Sequence, residues 1–284
     1  ITTRLVGSEM CIRASDKNML EELKLLISPY ILKRNKKDVL KELPDKIENK
    51  VLVTLPKKQK ELYDSLLLEI KNKINNERGK ENTIELFSYL MKLRQMCLDP
   101  SLILESYSGN NGKLNVTEEI IEKNINEHKI VIFSQFTSML KRIEEKIKYK
   151  NINYVYLDGS TSAKKRIELV EQFNNDENIR IFLISLKAGG TGLNLTSSDT
   201  VIHFDPWYNP GVHDQASDRA HRIGQKRVVN IYKLIAKDTI EETIYLMQEY
   251  KKNLINEVLE NDDITDNDVL NRLSNEQILS LIHI

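Results

Sequence analysis

With 284 residues the chain is long enough for one large or two ordinary domains, each able to bury a real core. Its 42 basic and 42 acidic side chains cancel, so nothing pulls it globally toward nucleic acid, and any such affinity has to come from local patches. Composition (40% hydrophobic, 30% charged), the lack of a leader pattern or of an apolar run near the ~20 residues a bilayer span needs, two lone cysteines and five dispersed histidines predict a soluble protein of a reducing compartment, without a disulfide framework or zinc site.

Residues Ile1 to Ser15 show no clear period, and GSEMCIRAS and the terminal LSLIHI resemble translated adapter text, so both are set aside from the fold argument. From Leu20 to Leu26 apolar residues recur at helical spacing until Ser28-Pro29 breaks the run. The basic segment that follows, with Lys33, Arg34, Lys36 and Lys37, reads on its own as a solvated charged helix. Ile47 to Leu55 alternates as a strand does, with Val51, Val53 and Leu55 on one face, and Pro56 ends it. The helix beginning there carries Leu62, Leu66, Leu67 and Ile70 as an apolar stripe, and a second helix runs from Ile84 to Met96. Ser106 to Gly112 is a loop. Its Gly109, Asn110, Asn111, Gly112, Lys113 run looks superficially like a phosphate loop. That pattern needs four residues between its glycines and a Ser or Thr after the lysine, whereas here there are two residues and Leu114.

From Asn115 onward helix and strand alternate. A helix to about Glu127 is followed by strand Ile130 to Ser134, helix Thr137 to Tyr149, strand Tyr154 to Leu157, helix Ala163 to Asn174 and strand Arg180 to Ser185. A Gly-rich turn, strand Thr200 to Phe204, helix Gly211 to Arg222 and strand Asn230 to Ile235 complete the pattern. Short apolar strands separated by amphipathic helices imply a parallel sheet covered on both faces, with ligands at the carboxyl ends of its strands. Asp238 to Glu260 forms a long amphipathic helix, Asn261 to Asp268 an acidic linker and Asn271 to Leu281 a short terminal helix.

Small polar residues gather at those strand ends. Ser134 and Gln135 can grip a phosphate, while Ser134 or Thr137 can equally cap the next helix. Asp158, Gly159, Ser160, Thr161 and Ser162, with Arg166 one turn on, can wrap a phosphate or form a plain turn and cap. In the run from Lys187 to Asn194, Gly189, Gly190 and Gly192 free the backbone to approach phosphates closely. Asp205 sits where a magnesium carboxylate would, but with no phosphate loop upstream a structural role is preferred; Trp207, the only tryptophan, packs against nucleic-acid sugars or braces the fold. Finally, Asp214 to Arg227 places Gln215, Arg219 and Arg222 at i, i+4 and i+7, one face of a helix. An amide and two guanidiniums there need acceptors that a polyphosphate supplies; taken alone, the stretch also reads as a surface helix with Asp218 and Arg222 paired.

DQASDRAHRIGQ resembles the sixth helicase motif of the SWI/SNF-type DNA-translocating ATPases, and KIVIFSQF, YLDGSTS, ISLKAGGTGLNLT and VIHFDPWYNP precede it in that family's order and at family-like spacing. The resemblance covers roughly Ile27 to Glu260. It implies an α/β fold, a RecA-like parallel sheet with helices on both faces, preceded by a mainly helical linker region and followed by a long brace helix. The expected divisions are a poorly defined segment 1–26, an inter-lobe linker and helical region 27–112, a second RecA-like lobe 113–236, a brace helix 237–262 and a tail 263–284.

The same resemblance implies the second ATPase lobe of an ATP-dependent double-stranded DNA translocase. Ser134, Gln135, Gly159, Ser160, Arg166, Lys187, Gly189 and Trp207 are expected at the DNA, and Gly190, Gly192 and Asn194 at the nucleotide. Arg219 and Arg222, with Gln215 beside them, are expected to act as arginine fingers. ATP and Mg2+ are the implied cofactors, with the metal ligands, phosphate-loop lysine and catalytic base supplied by a first lobe absent here; no metal ligand falls in this chain, and the fragment alone is expected to be inactive. The implied partners are duplex DNA and that first lobe, with no membrane, in the cytoplasm (at the nucleoid in a bacterium) or in the nucleus of a eukaryote. Two other readings stay open: a non-catalytic nucleic-acid-binding or interaction module, and part of an RNA helicase. In RNA helicases the sixth motif ordinarily carries extra glycines where this chain has Asp218, Ala220 and His221.

Overall fold

A computed structural model describes residues 40, 42–76, 83–189 and 192–259. They fall in two units: Glu42–Gln248, and a second of which Leu40 and residues 249–259 are described. The adapter-like stretches, the apolar run 20–26, the basic segment 33–37, Gly190 and the expected terminal helix lie outside the described residues.

Among the described residues of the larger unit, six strands form one parallel sheet: β1 (Lys46–Val53), β2 (Ile130–Ser134), β3 (Tyr154–Leu157), β4 (Ile181–Ser185), β5 (Thr200–His203) and β6 (Val229–Ala236). Their order across the sheet is β1-β6-β5-β2-β4-β3. Side-chain alternation divides the core in two. Ile130, Ile132, Ile181, Leu183, Ile202 and Leu234 face α3 (Gly112–Asn124) and α4 (Thr137–Tyr149), which bury Ile120, Ile121, Met139, Leu140, Ile143 and Ile147 against them. Val131, Phe133, Val155, Phe182, Ile184, Val201 and Ile231 face the other way, onto Phe173 of α5 (Ala163–Asn175) and Ala216 of α6 (Pro210–Ser217). Both faces are covered, which is why β2 and β4 are apolar almost throughout and fully buried.

A third apolar cluster joins α1 (Lys57–Asn76), α2 (Thr83–Leu98) and the start of α7 (Ile240–Leu259) through Tyr63, Ile70, Leu93, Met96, Ile240 and Ile244. No helix among the described residues is long and apolar enough to cross a membrane.

Two local expectations change. The strand expected over 47–55 spans Lys46–Val53 and, although it comes from the stretch assigned to the linker region, supplies an edge of the main sheet in register with all of β6. Val51 and Val53 join the sheet core, whereas Leu55 has left the strand and packs with the helices. Helix α3 starts at Gly112 rather than Asn115 because Asn111 caps it, accepting the Leu114 N–H at 3.0 Å and donating to the Leu98 carbonyl. Gly112 has a packing reason: a Cβ there would come within 2.9 Å of the Thr54 carbonyl oxygen.

Candidate nucleotide and nucleic-acid interface

All six described strands being parallel, their carboxyl ends share one edge; Ser134 ends β2, and Asp158, Lys187 and Asp205 follow β3, β4 and β5. The centre of this edge is built from committed polar groups. One Asp205 carboxylate oxygen accepts from the Ser134 hydroxyl at 2.6 Å and the Gln135 N–H at 3.1 Å, while Arg94 of α2 donates to the other at 3.2 Å and to the Pro206 carbonyl at 2.8 Å. Arg94 is fully buried, its guanidinium 5.2 to 5.5 Å from the ring centroids of Phe136, Trp207 and Tyr208. Ser134 is 1% exposed and its hydroxyl also accepts the Phe136 N–H, so in this arrangement it supports the loop instead of presenting a donor to DNA. Asp205 is structural. Trp207 is half-buried against Arg94 and Tyr208, and its carbonyl accepts from Gln248; of its two readings, bracing is the one with contacts. Sequence reasoning missed Arg94, because a single arginine in an amphipathic helix looks like a solvent-facing charge.

The turn after β3 is tied to itself. Asp158 accepts from the Ser160 N–H and hydroxyl at 2.9 and 2.6 Å, and these bonds, the hydroxyl's first, hold its carboxyl below the usual range. Ser162 caps α5, and Arg166 turns back to donate to the Thr161 carbonyl at 2.9 Å. Gly159 and Ser160 stay exposed, and a Cβ at Gly159 would meet nothing within 4 Å.

After β4 the chain makes one helical turn, Leu186–Gly189, with Lys187 exposed. Gly189 is buried rather than open, a Cβ there falling 3.0 Å from the Phe133 ring, so its smallness serves packing. Gly192, at φ +27, is exposed with open space above it, and Asn194 is exposed with its carbonyl held by Asn174 at 2.9 Å. The loop then meets the arginine segment, as the Leu195 N–H donates to the Arg219 carbonyl at 2.9 Å.

The helix expected over 211–222 is shorter in the structure. Helix α6 ends at Ser217, and Arg219 and Arg222 lie in the turns beyond it. Past Ser217 the chain tightens, the Arg219 and Ala220 N–H groups reaching the Ala216 and Ser217 carbonyls three residues back, and the Arg219 and Ala220 carbonyls are taken by the Leu195 N–H and, at 3.1 Å, by the Gln225 side chain. Gln215, Arg219 and Arg222 therefore do not share one helical face, although Gln215 and Arg222 are exposed and Arg219 is half-buried. His221 anchors the turn from beneath, its Nε2 2.6 Å from the Pro44 carbonyl.

Below α6, His203 Nε2 lies 2.7 Å from the Ser217 hydroxyl, and its ring stacks on those of His213 and Phe133 at 4.3 and 5.6 Å. Burial pushes both histidines down, His213 to about 3 and His203 well below the ordinary value, so both are neutral. Lys113, from the false phosphate loop, is fully buried: it donates to the Phe204 and Leu234 carbonyls at 2.8 and 3.2 Å and pairs with Glu241 at 2.5 Å. Among the described residues no group of three His, Cys, Asp or Glu side chains is placed to hold a metal ion.

With this geometry in place, comparison with known proteins is informative. The SNF2-related domain family matches residues 4–102, running through the adapter-like stretch 7–15, and the helicase conserved C-terminal domain family matches residues 112–224. An ATP-dependent helicase of Mycoplasma pneumoniae, named as uncharacterized, is 40% identical over 261 residues, covering 89% of this chain and 24% of that protein. The chain spans about a quarter of the length of such curated relatives. The solved Sulfolobus solfataricus SWI2/SNF2 ATPase core in complex with double-stranded DNA superposes with a TM-score of 0.67 at 36% identity, over 94% of this chain and 57% of that one. The C-terminal domain of the same ATPase superposes with a TM-score of 0.64 at 32% identity, over 82% of this chain and 96% of that one. A RecA-like sheet, the glycine-rich and arginine segments joined through Leu195 and Arg219, and these matches together place the chain in the SWI/SNF family of ATPases.

Proposed function

We propose that the chain is the second RecA-like lobe, with linker and brace, of an ATP-dependent double-stranded DNA translocase, acting with a first lobe of the same parent protein. The observation that carries this reading is the junction of loop 192–198 with the arginine segment through the Leu195–Arg219 bond, beside which Gln215 and Arg222 are exposed. Exposed guanidinium, amide and open glycine backbone are groups that fit a nucleotide's phosphates. Gly192 and Asn194 would line the nucleotide, and Arg219 and Arg222 would stabilise negative charge developing on the γ-phosphate. Bound ATP with Mg2+ supplies the scissile phosphoanhydride. Asp205 already holds three donors, and the metal's carboxylates are assigned to the first lobe.

Duplex DNA is assigned to the exposed Lys187, Gly159 and Ser160, all phosphate-gripping types, with Gln135 at the margin. Ser134, Arg166, Gly189 and Trp207 are supports behind that surface rather than contacts. A relative solved on double-stranded DNA favours this substrate class.

The test uses the chain joined to its first lobe. Arg219→Ala or Arg222→Ala should cost ~10³–10⁵ in turnover with DNA affinity nearly intact, while Lys187→Ala should weaken DNA binding and lower its salt slope by about one unit. The chain alone should show no DNA-stimulated phosphate release. Arginine variants that keep full turnover but lose DNA would turn the segment into a nucleic-acid clamp and the chain into a binding module.

A further inference from the structure

Gln225 is the most heavily bonded side chain of the arginine segment. It is 7% exposed, and its amide engages five backbone groups. Nε2 donates toward the carbonyls of Thr196, Ser198 and Ala220 at 3.2, 2.7 and 3.1 Å; Oε1 accepts the N–H groups of Lys226 and Arg227, both at 2.8 Å. Thr196 and Ser198 belong to the loop that follows Gly192 and Asn194, and Ala220 lies between Arg219 and Arg222. One planar amide therefore spans the loop assigned to the nucleotide and the segment assigned to the γ-phosphate. Gly224, at φ +103, makes the reversal that carries position 225 back inside.

We propose that Gln225 is a positioning residue, a clasp that fixes the arginine segment to the nucleotide loop so that both arginines are set by where that loop sits. The clasp rests on the assignment of Arg219 and Arg222 made above. The chemistry demands glutamine. Its amide offers two donor hydrogens and an acceptor oxygen on one rigid plane, with one hydrogen shared between two of the three carbonyls. Glutamate accepts as well but does not donate when ionised; methionine fills the space and does neither; asparagine is one methylene short. By taking the Ala220 carbonyl, Gln225 also closes the turns of residues 218–224 that follow α6. Neighbouring links are independent of it: Leu195 still bonds Arg219, and Asp199 still holds Arg227 at 3.1 Å and His128 at 2.7 Å. Loss of the clasp should therefore loosen the junction without unfolding the sheet.

The experiment has two arms. In the chain itself, Gln225→Met should speed amide hydrogen exchange by about tenfold or more in residues 193–198 and 219–224 together, with β2 and β4 as protected as before. In the parent with its first lobe, the same change should lower kcat on the order of 10²-fold while leaving the KM for ATP within about twofold, because a misplaced finger is missed in the transition state. Gln225→Glu supplies the control against general damage. Its buried carboxyl, facing three carbonyl oxygens, favours the neutral form, and the protonated acid regains one donor. Its turnover relative to the unmodified protein should thus rise as pH falls from 8 to 6, while the Gln225→Met ratio stays flat. Unchanged exchange, an unchanged kcat, or the same pH ratio for both variants would overturn the clasp. Turnover indifferent to Arg222→Ala would sink the underlying assignment of the site, a result on which the exchange arm does not depend.

Discussion

Lys113→Met tests most directly whether the carboxyl edge is set by a buried ion pair. The substitution keeps all but the terminal atom's length of the side chain and removes three donated hydrogens, stranding the Phe204 and Leu234 carbonyls and the Glu241 carboxylate, all out of water. Removing one partner of a buried pair costs about 3–5 kcal/mol, because the remaining charge is left uncompensated. Burial already raises the Glu241 carboxyl, with Lys113 opposing it, and losing Lys113 raises it further. A carboxyl raised in the folded state contributes stability that is fully present below its unfolded value near 4.5 and is lost as pH rises through the folded value. The deficit of Lys113→Met should therefore be smallest near pH 5 and grow to its full size by pH 8, where urea unfolding followed by circular dichroism would read it. Adding Glu241→Leu removes the stranded charge and should recover about 1–4 kcal/mol of the loss. A deficit below about 1 kcal/mol at pH 8, or a double variant no more stable than the single one, would refute the reasoning.

Two further outcomes follow from other buried groups. Arg94→Lys keeps the charge but loses the planar face set among Phe136, Trp207 and Tyr208 and the paired contacts to Asp205 and Pro206; a loss of about 2–4 kcal/mol and altered Trp207 fluorescence are expected in denaturant titration, and an unchanged midpoint would count against the packing described. The neutral His203 and His213 bind protons only when unfolded, so their stability contribution is complete above about 6.5 and falls with acid, by about 1.4 kcal/mol per pH unit for each, continuing toward about 3 for His213. Thermal melts from pH 7 to 5 should show His213→Phe with roughly half the histidine-linked slope, and equal slopes would remove His213 from the account.

How far these features could be read beforehand depended on the range of the interactions that make them. Apolar periods and punctuating glycines located the helices and strands from 130 onward, since a strand buried on both faces must be apolar throughout, as Ile130 to Phe133 is. Alternation made 47–55 a strand, found at 46–53, but its neighbour, β6, lies about 180 residues away and leaves no local trace. The helix over 211–222 is shorter than its spacing suggests: past Ser217 the Arg219 and Ala220 N–H groups bond three residues back, and the turns so formed are held by the N–H of Leu195, from another loop, and the side chain of Gln225. Ser134 shows the limit at the site. A small polar residue after a buried strand reads alike whether its hydroxyl meets a ligand or a neighbouring carboxylate, and only the position of Asp205 decides between them.

The candidate site is thus two layers, one buried and one exposed, with different physical duties, and the difference is measurable. Arg94, Lys113, Asp205 and Gln225 are buried and bond to backbone or to one another, so their replacement leaves polar groups without partners in a medium where each costs about 1–3 kcal/mol. Gly159, Lys187, Gly192, Gln215 and Arg222 are exposed, where a substitution usually moves stability by less than about 0.5 kcal/mol. An exposed layer of cations, amides and glycine backbone is poor at holding a fold and well suited to meeting phosphates. The buried layer gives it fixed geometry at no cost in accessible donors. Stability and ligand-dependent readouts should therefore separate along this division. Gln225 belongs to the buried layer, but it is joined directly to the backbone that bears the exposed one. It is the position at which both readouts should move.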